Sequence, residues 1–137
     1  LGHFIVEKNG QLCKCGRRGC LETKVSYAAL CKIAPFSEDA FGSLYCGHSD
    51  DEIGRQLADA LDLFARSIVN SATIMAPNRI ILTGSLFESP EVRKALIKAC
   101  ASYDASLGQD RIIYSELAQK EHYIGAAAIC TKMLLFS

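Results

Sequence analysis

Apolar and polar positions follow two different periods along this chain, and those periods divide it into elements. His3 to Lys8 (HFIVEK) has a strand-like apolar centre. Asn9-Gly10 follows, a pair that favours tight hairpin turns because both residues tolerate positive φ. Gln11 to Cys13 would then begin the return strand. From Leu21 the spacing becomes helical, with Val25, Ala28, Ala29 and Lys32 on one face and Pro35 as the stop, because proline has no N–H to give and crowds the preceding turn. Residues 35–51 carry the loosest pattern and predict an irregular insertion or short helices.

A long helix comes next. Ile53, Leu57, Ala60, Leu61, Phe64, Ile68, Val69 and Ala72 keep a 3.6-residue period, Asp50-Asp51 offers a cap, and Pro77 sets the limit. Asn78-Arg79 leads into IILT (Ile80 to Thr83), a buried-strand pattern closed by Gly84-Ser85. Pro90 suits the first position of a helix running to about Tyr103. Arg111 to Ser115 (RIIYS) predicts a second strand, and Tyr123 to Leu135, with the small-residue run Gly125 to Ala128, predicts a closing helix. Helices alternating with strands in this order imply an α/β class with a mixed or parallel sheet.

Composition narrows the reading. The chain has 137 residues, half of them apolar and 22% charged, which fits one folded domain with a core of its own over 1–137. Fifteen basic residues balance fifteen acidic ones, so this stretch is a poor clamp for nucleic-acid phosphates by itself. There is no run of 18 apolar residues, so no membrane span is expected. The opening LGHFIVEKNG has no basic region followed by a long apolar stretch, the pattern of a secretory leader. It starts directly on a strand, without methionine, and is expected to continue a longer protein. Seven cysteines stand at 13, 15, 20, 31, 46, 100 and 130. Their odd number and the apolar settings of several suit a reducing, cytoplasmic location better than a disulfide frame.

Three of those cysteines crowd into CKCGRRGC, residues 13 to 20. A disulfide, a redox centre and a metal site are the alternatives. Cys13 and Cys15 share a side of an extended chain, and Gly16 and Gly19 let Cys20 curl back. Three thiolates need a fourth ligand for tetrahedral zinc. His3, on the first strand, is the natural candidate, ahead of His48 in the loose insertion. Arg17 and Arg18 would partly offset the thiolate charge. A thioredoxin-like centre is disfavoured because no C-x-x-C is present.

The stretch GHFIVEKNGQLCKCGRRGCLE resembles the signature of the ROK family, which contains bacterial sugar kinases and sugar-responsive repressors of the NagC/XylR type. Gly2, His3, Cys13, Cys15, Gly16, Gly19, Cys20, Leu21 and Glu22 match in type and spacing. Pro77 to Ser85 is similar to the strand and glycine turn that meet the nucleotide in the kinases, and Gly125 to Ala128 resembles the start of the family's closing helix. The resemblance implies the C-terminal domain of the actin-like, ribonuclease-H-like ATPase fold with a zinc-binding loop, and makes His3, Cys13, Cys15 and Cys20 the zinc ligands. It implies that His3 and Glu22 contact a sugar, and that members assemble as homo-oligomers.

Two functions follow from the resemblance. One is the sugar-binding effector domain of a transcriptional regulator whose DNA-binding segment lies elsewhere in the protein. The other is the C-terminal domain of an ATP- and magnesium-dependent sugar kinase, inactive by itself, with Gly84 and Ser85 against the nucleotide. Kinases of the family tend to carry consecutive glycines after the IIL strand. Here Ser85 replaces the second glycine and bulky Leu86 and Phe87 follow, a departure that favours the regulator.

Overall fold

The computed structural model describes residues 1–36, 40–48 and 50–115; the closing helix expected over Tyr123 to Leu135 lies outside the described residues. In order, the elements are α1 (Glu22–Val25), α2 (Tyr27–Leu30), α3 (Phe41–Gly47), α4 (Glu52–Met75), β1 (Ile80–Leu82), α5 (Pro90–Tyr103) and β2 (Ile112–Tyr114).

The two strands run parallel, with Ile80 opposite Ile112 and Leu82 opposite Tyr114. A parallel pair needs a crossover, and α5 supplies it. The ladder is extended by hydrogen bonds from Ile80 N to Arg111 O (2.7 Å) and from Ser115 N to Leu82 O (3.0 Å). Arg111 also donates to the Pro77 carbonyl (2.7 Å), tying the start of β1 to the start of β2.

The long helix forms where the 3.6-residue period placed it. Asp51, the second of the two candidate caps, accepts the Gly54 N–H at 2.8 Å, and Ala76 ends the helix in the left-handed region just before Pro77. One stripe of α4 meets α5 and the strands around Ala65, Ile68, Ala72, Leu82, Leu96, Cys100, Leu107 and Ile112, all buried. The N-terminal half of α4 forms a second cluster, where Leu57 and Ala60 pack with Leu30, Phe41 and Val92. Ser89 caps α5 by accepting the Val92 N–H at 3.3 Å, with Pro90 at the first helical position. That position loses nothing by lacking an N–H.

Two local expectations are corrected, and one is met. The first helix is two short pieces, because Ser26 adopts an extended ψ of 156° and spends its hydroxyl on the Ala29 N–H. The loose stretch contains one of the short helices expected there, α3, whose buried Phe41 meets Phe36 and Tyr45 at tilted ring angles. The hairpin does not pair its two arms through Asn9-Gly10. Asn9 does take positive φ (66°), but Ile5 pairs with Cys20 and Leu12 pairs with Arg18. Residues 4–7 therefore lie against 19–21, and 11–13 fold onto 17–19.

Candidate metal centre

That pairing assembles the cysteine loop. Cys13 N bonds to Arg17 O (2.8 Å) and Gly19 N to Gln11 O (2.9 Å), closing a tight turn over 14–16. Gly19 O then accepts from both Val6 N (2.8 Å) and Glu7 N (3.2 Å), which straps the loop to the first strand. Gly19 has φ of +72°, and a Cβ there would sit 2.8 Å from the Glu7 carbonyl carbon and collide with its oxygen. Only glycine lets the backbone pass this closely. Lys24 holds the Glu7 carboxylate at 2.9 Å from below.

The result gathers His3, Cys13, Cys15 and Cys20, with one ligand atom from each lying within 4.8 Å of all the others. Cys15 Sγ and Cys20 Sγ are 3.5 Å apart, and Cys13 Sγ is 3.7 Å from His3 Nδ1. Zinc–sulfur bonds of about 2.3 Å in a tetrahedron place neighbouring sulfurs about 3.8 Å apart, so the observed spacings match the edges of such a site. They are far too long for a disulfide, whose sulfurs sit about 2.05 Å apart. The donor set and spacing therefore fit a metal ion, and soft thiolates with one imidazole are the ligands zinc prefers.

The electrostatics of the loop are uneven. The Arg17 backbone N–H, helped by its guanidinium, holds the exposed Cys15 thiol down to about 6. Burial pushes Cys20 up to about 11, with Cys15 next to it adding to the rise. Cys13 and Cys20 are buried, while Cys15 faces solvent.

Glu22, the first residue of α1, stands at the edge of the cluster. Its Oε2 is 3.4 Å from His3 Nδ1 and 4.0 Å from Cys13 Sγ. Glu22 and Cys13 also border a groove of about 420 Å³ that continues past Gln11, Lys14, Ser26 and Lys32. Both sugar-contact candidates are thus brought together with the metal ligands. His48 is not: its Nδ1 bonds to Asp51 at 2.6 Å at the start of α4, and that contact, foremost, lowers the Asp51 carboxyl below its ordinary range.

Gly84 and Ser85 form a different place in the fold, the turn between β1 and α5. Gly84 has φ of +106° with open space where a Cβ would be. Leu86 and Phe87 do not crowd that turn. They fold inward onto the cluster around Leu57 and Val92, and Phe87 stacks on Phe64 with centroids 5.7 Å apart. Their bulk therefore does not set this turn against a nucleotide. Ser85 instead borders a polar hollow of about 270 Å³ shared with Gly42, Ser43, Ser89 and two carboxylates, Glu88 and Glu91. Sequence reasoning named Arg17 for its charge but missed its main-chain N–H, and it missed Glu7 and the acidic wall near Ser85. Glu88 and Glu91 beside the glycine turn were the signal available.

Comparison with known proteins agrees with this geometry. The chain is 26% identical over 151 residues to a glucokinase of Thermotoga maritima, covering 94% of this chain and 48% of that protein. It is 25% identical over 164 residues to the DNA-binding transcriptional dual regulator NagC of Escherichia coli K12, covering 98% of this chain and 37% of the regulator. The chain thus spans about half or less of the length of these relatives. Among solved structures, a ROK hexokinase from Thermus thermophilus superposes with a TM-score of 0.69 at 22% identity, over 85% of this chain and 41% of that one, which gives the described residues an actin-like ATPase fold. The ROK family model matches residues 1–133, and the chain belongs to the ROK family.

Proposed function

We propose that this chain is the sugar-binding, zinc-holding C-terminal domain, over 1–137, of a NagC-like ROK transcriptional regulator. The observation that carries the reading is the convergence of His3, Cys13, Cys15 and Cys20 with Glu22 at 3.4 Å from the same histidine. Zinc in that cluster would be structural, tying the first strand to the loop. His3 Nδ1 faces the Cys13 sulfur, which leaves Nε2 to meet a ligand in a fixed tautomer and direction once Nδ1 holds the metal. A carboxylate at Glu22 can accept hydrogen bonds from two neighbouring sugar hydroxyls at once. DNA would be contacted by a segment of the protein beyond these residues, and homo-oligomerisation is expected of the whole protein.

A kinase reading is the alternative. It is favoured by Gly84, whose open surroundings and positive φ would admit a nucleotide's close approach. Against it stand Ser85 and the carboxylates Glu88 and Glu91 around the adjoining hollow, which repel an anionic nucleotide. One experiment separates the readings. The whole protein is titrated calorimetrically with hexoses and N-acetylhexosamines, and each sugar that binds is incubated with ATP and magnesium. Saturable binding without phosphorylation supports the regulator. Sugar phosphorylation at a steady turnover moves the protein to the kinase branch, and absence of sugar binding refutes both.

A further inference from the structure

The four cluster ligands are not equally protected. Cys13 and Cys20 are buried, at 5% and 0% exposure, whereas Cys15 faces solvent at the tip of the loop. Cys15 Sγ lies 3.5 Å from Cys20 Sγ. Cys15 is followed by Gly16, whose φ is +84° and around which a Cβ would touch nothing. Gly16 closes the turn by donating to the Cys13 carbonyl at 2.9 Å, while the Cys15 side chain stays exposed. A disulfide needs the two sulfurs to approach to about 2.05 Å, a shift of roughly 1.5 Å from the observed spacing.

We infer that Cys15 and Cys20 form a peroxide-sensitive pair, so that oxidation links them and ejects the metal. The chemistry balances with one hydroperoxide. The Cys15 sulfur attacks the O–O bond, gains a hydroxyl as a sulfenic acid and releases hydroxide, or an alkoxide from an organic peroxide. Cys20 sulfur then attacks the Cys15 sulfur, the S–S bond forms, and the hydroxyl leaves as water once protonated. Two thiols are oxidised and the peroxide is reduced to two waters, or to water and an alcohol. With two of four ligands consumed, Cys13 and His3 alone cannot complete a tetrahedral site. The strap that places His3 beside Glu22 would loosen with the loss. That consequence rests on the sugar and metal readings above; the disulfide does not.

The test uses the whole, reduced protein with hydrogen peroxide added in steps up to about two equivalents. Metal release is followed with a chromogenic chelator, and the oxidised cysteines are located by mass spectrometry of peptides under non-reducing conditions. The expected result is a peptide linking Cys15 to Cys20, two thiols lost for each metal released, and recovery of both on adding a dithiol. Cys46, exposed on α3, is the internal control, and Cys46→Ser should leave rate and stoichiometry unchanged. The same mapping on protein stripped of metal separates the two claims. A Cys15–Cys20 link in the stripped protein, together with no metal found by elemental analysis of the protein as isolated, sustains the pair while refuting the zinc reading. Oxidation that falls first on Cys46 or Cys31 with the loop thiols intact, or a loop converted to sulfonic acid without a link, overturns the inference.

Discussion

Gly16 and Gly19 both hold positive φ in the cysteine loop, at +84° and +72°, yet they should respond very differently to alanine. At Gly16 a Cβ meets nothing within 4 Å, so Gly16→Ala carries only the backbone penalty of a left-handed L-residue, about 1–2 kcal/mol. If that strain falls mainly on the closed loop, metal affinity drops by roughly 5- to 30-fold. At Gly19 the same penalty applies, and the new Cβ also collides with the Glu7 carbonyl. Relief requires moving residues 4–7 away, which breaks the bonds from Val6 N and Glu7 N to Gly19 O. Each is worth about 0.5–1.5 kcal/mol, so Gly19→Ala should cost about 2–5 kcal/mol in total, or roughly 30- to 4,000-fold in affinity. Competition with a chromogenic chelator measures both variants, and circular dichroism checks that α4 and α5 persist, since their core lies elsewhere. Equal losses in the two variants, or Gly19→Ala within about twofold of the parent, would refute the claim that the strap to Glu7 builds the site.

Three further outcomes are expected. Glu22→Gln keeps the side chain's size but removes its charge, so sugar affinity should fall at least tenfold, about 1.4 kcal/mol, with metal content unchanged; calorimetry and elemental analysis read the two, and unaltered affinity counts against Glu22. Metal capture should strengthen as pH rises from about 6 to 8, because the thiol of Cys20, pushed up to about 11, must lose its proton while Cys15, down to about 6, has largely lost its own; a flat profile in chelator competition contradicts this. Leu96→Ala empties a fully buried position between α4 and the strands and should cost about 3 kcal/mol, read by denaturant unfolding, with a loss below about 1 kcal/mol showing that the site collapses.

What the sequence disclosed depended on whether the cause lay in side chains or in the backbone. The 24-residue α4 was legible because burial of Leu57, Ala60, Ile68 and Ala72 repeats with the helical period. The Pro90 start of α5 was legible because proline at that position has a local cause, whereas the Ser89 cap was not read from the sequence. The break at Ser26 was not, since a serine at that point reads equally well as a surface residue of a continuous helix. Asn9-Gly10 signalled a turn, and Asn9 does turn, but strand pairing was decided by Gly19, which offers one carbonyl to two amides. In the site, the members of the cluster were legible from residue type, spacing and the family resemblance, the last of which settled His3 over His48. Glu7 and the main-chain part of Arg17's role were not, because they act through a main-chain carbonyl and a main-chain N–H, groups nearly every residue has.

The turn after β1 shows the same distinction applied to function. Read as letters, Leu86 and Phe87 look like obstacles to a nucleotide; folded, they are half-buried and pack against the core around Leu57 and Val92, and the space beside Gly84 stays open. What remains is charge. A helix start such as that of α5 ordinarily attracts anions through its free N–H groups. Here Ser89 takes the Val92 N–H and donates its own hydroxyl proton to Glu91 at 2.7 Å, a bond that helps keep the Glu91 carboxyl below its usual range and so charged. One of the first-turn donors is thus already used, and a negative charge stands beside it. A phosphate entering this hollow would have to displace the serine or approach the carboxylate, and either step opposes binding. A sensing role is thus favoured over a phosphorylating one by the polar, acidic lining of the hollow beside Ser85, and not by the size of Leu86 and Phe87.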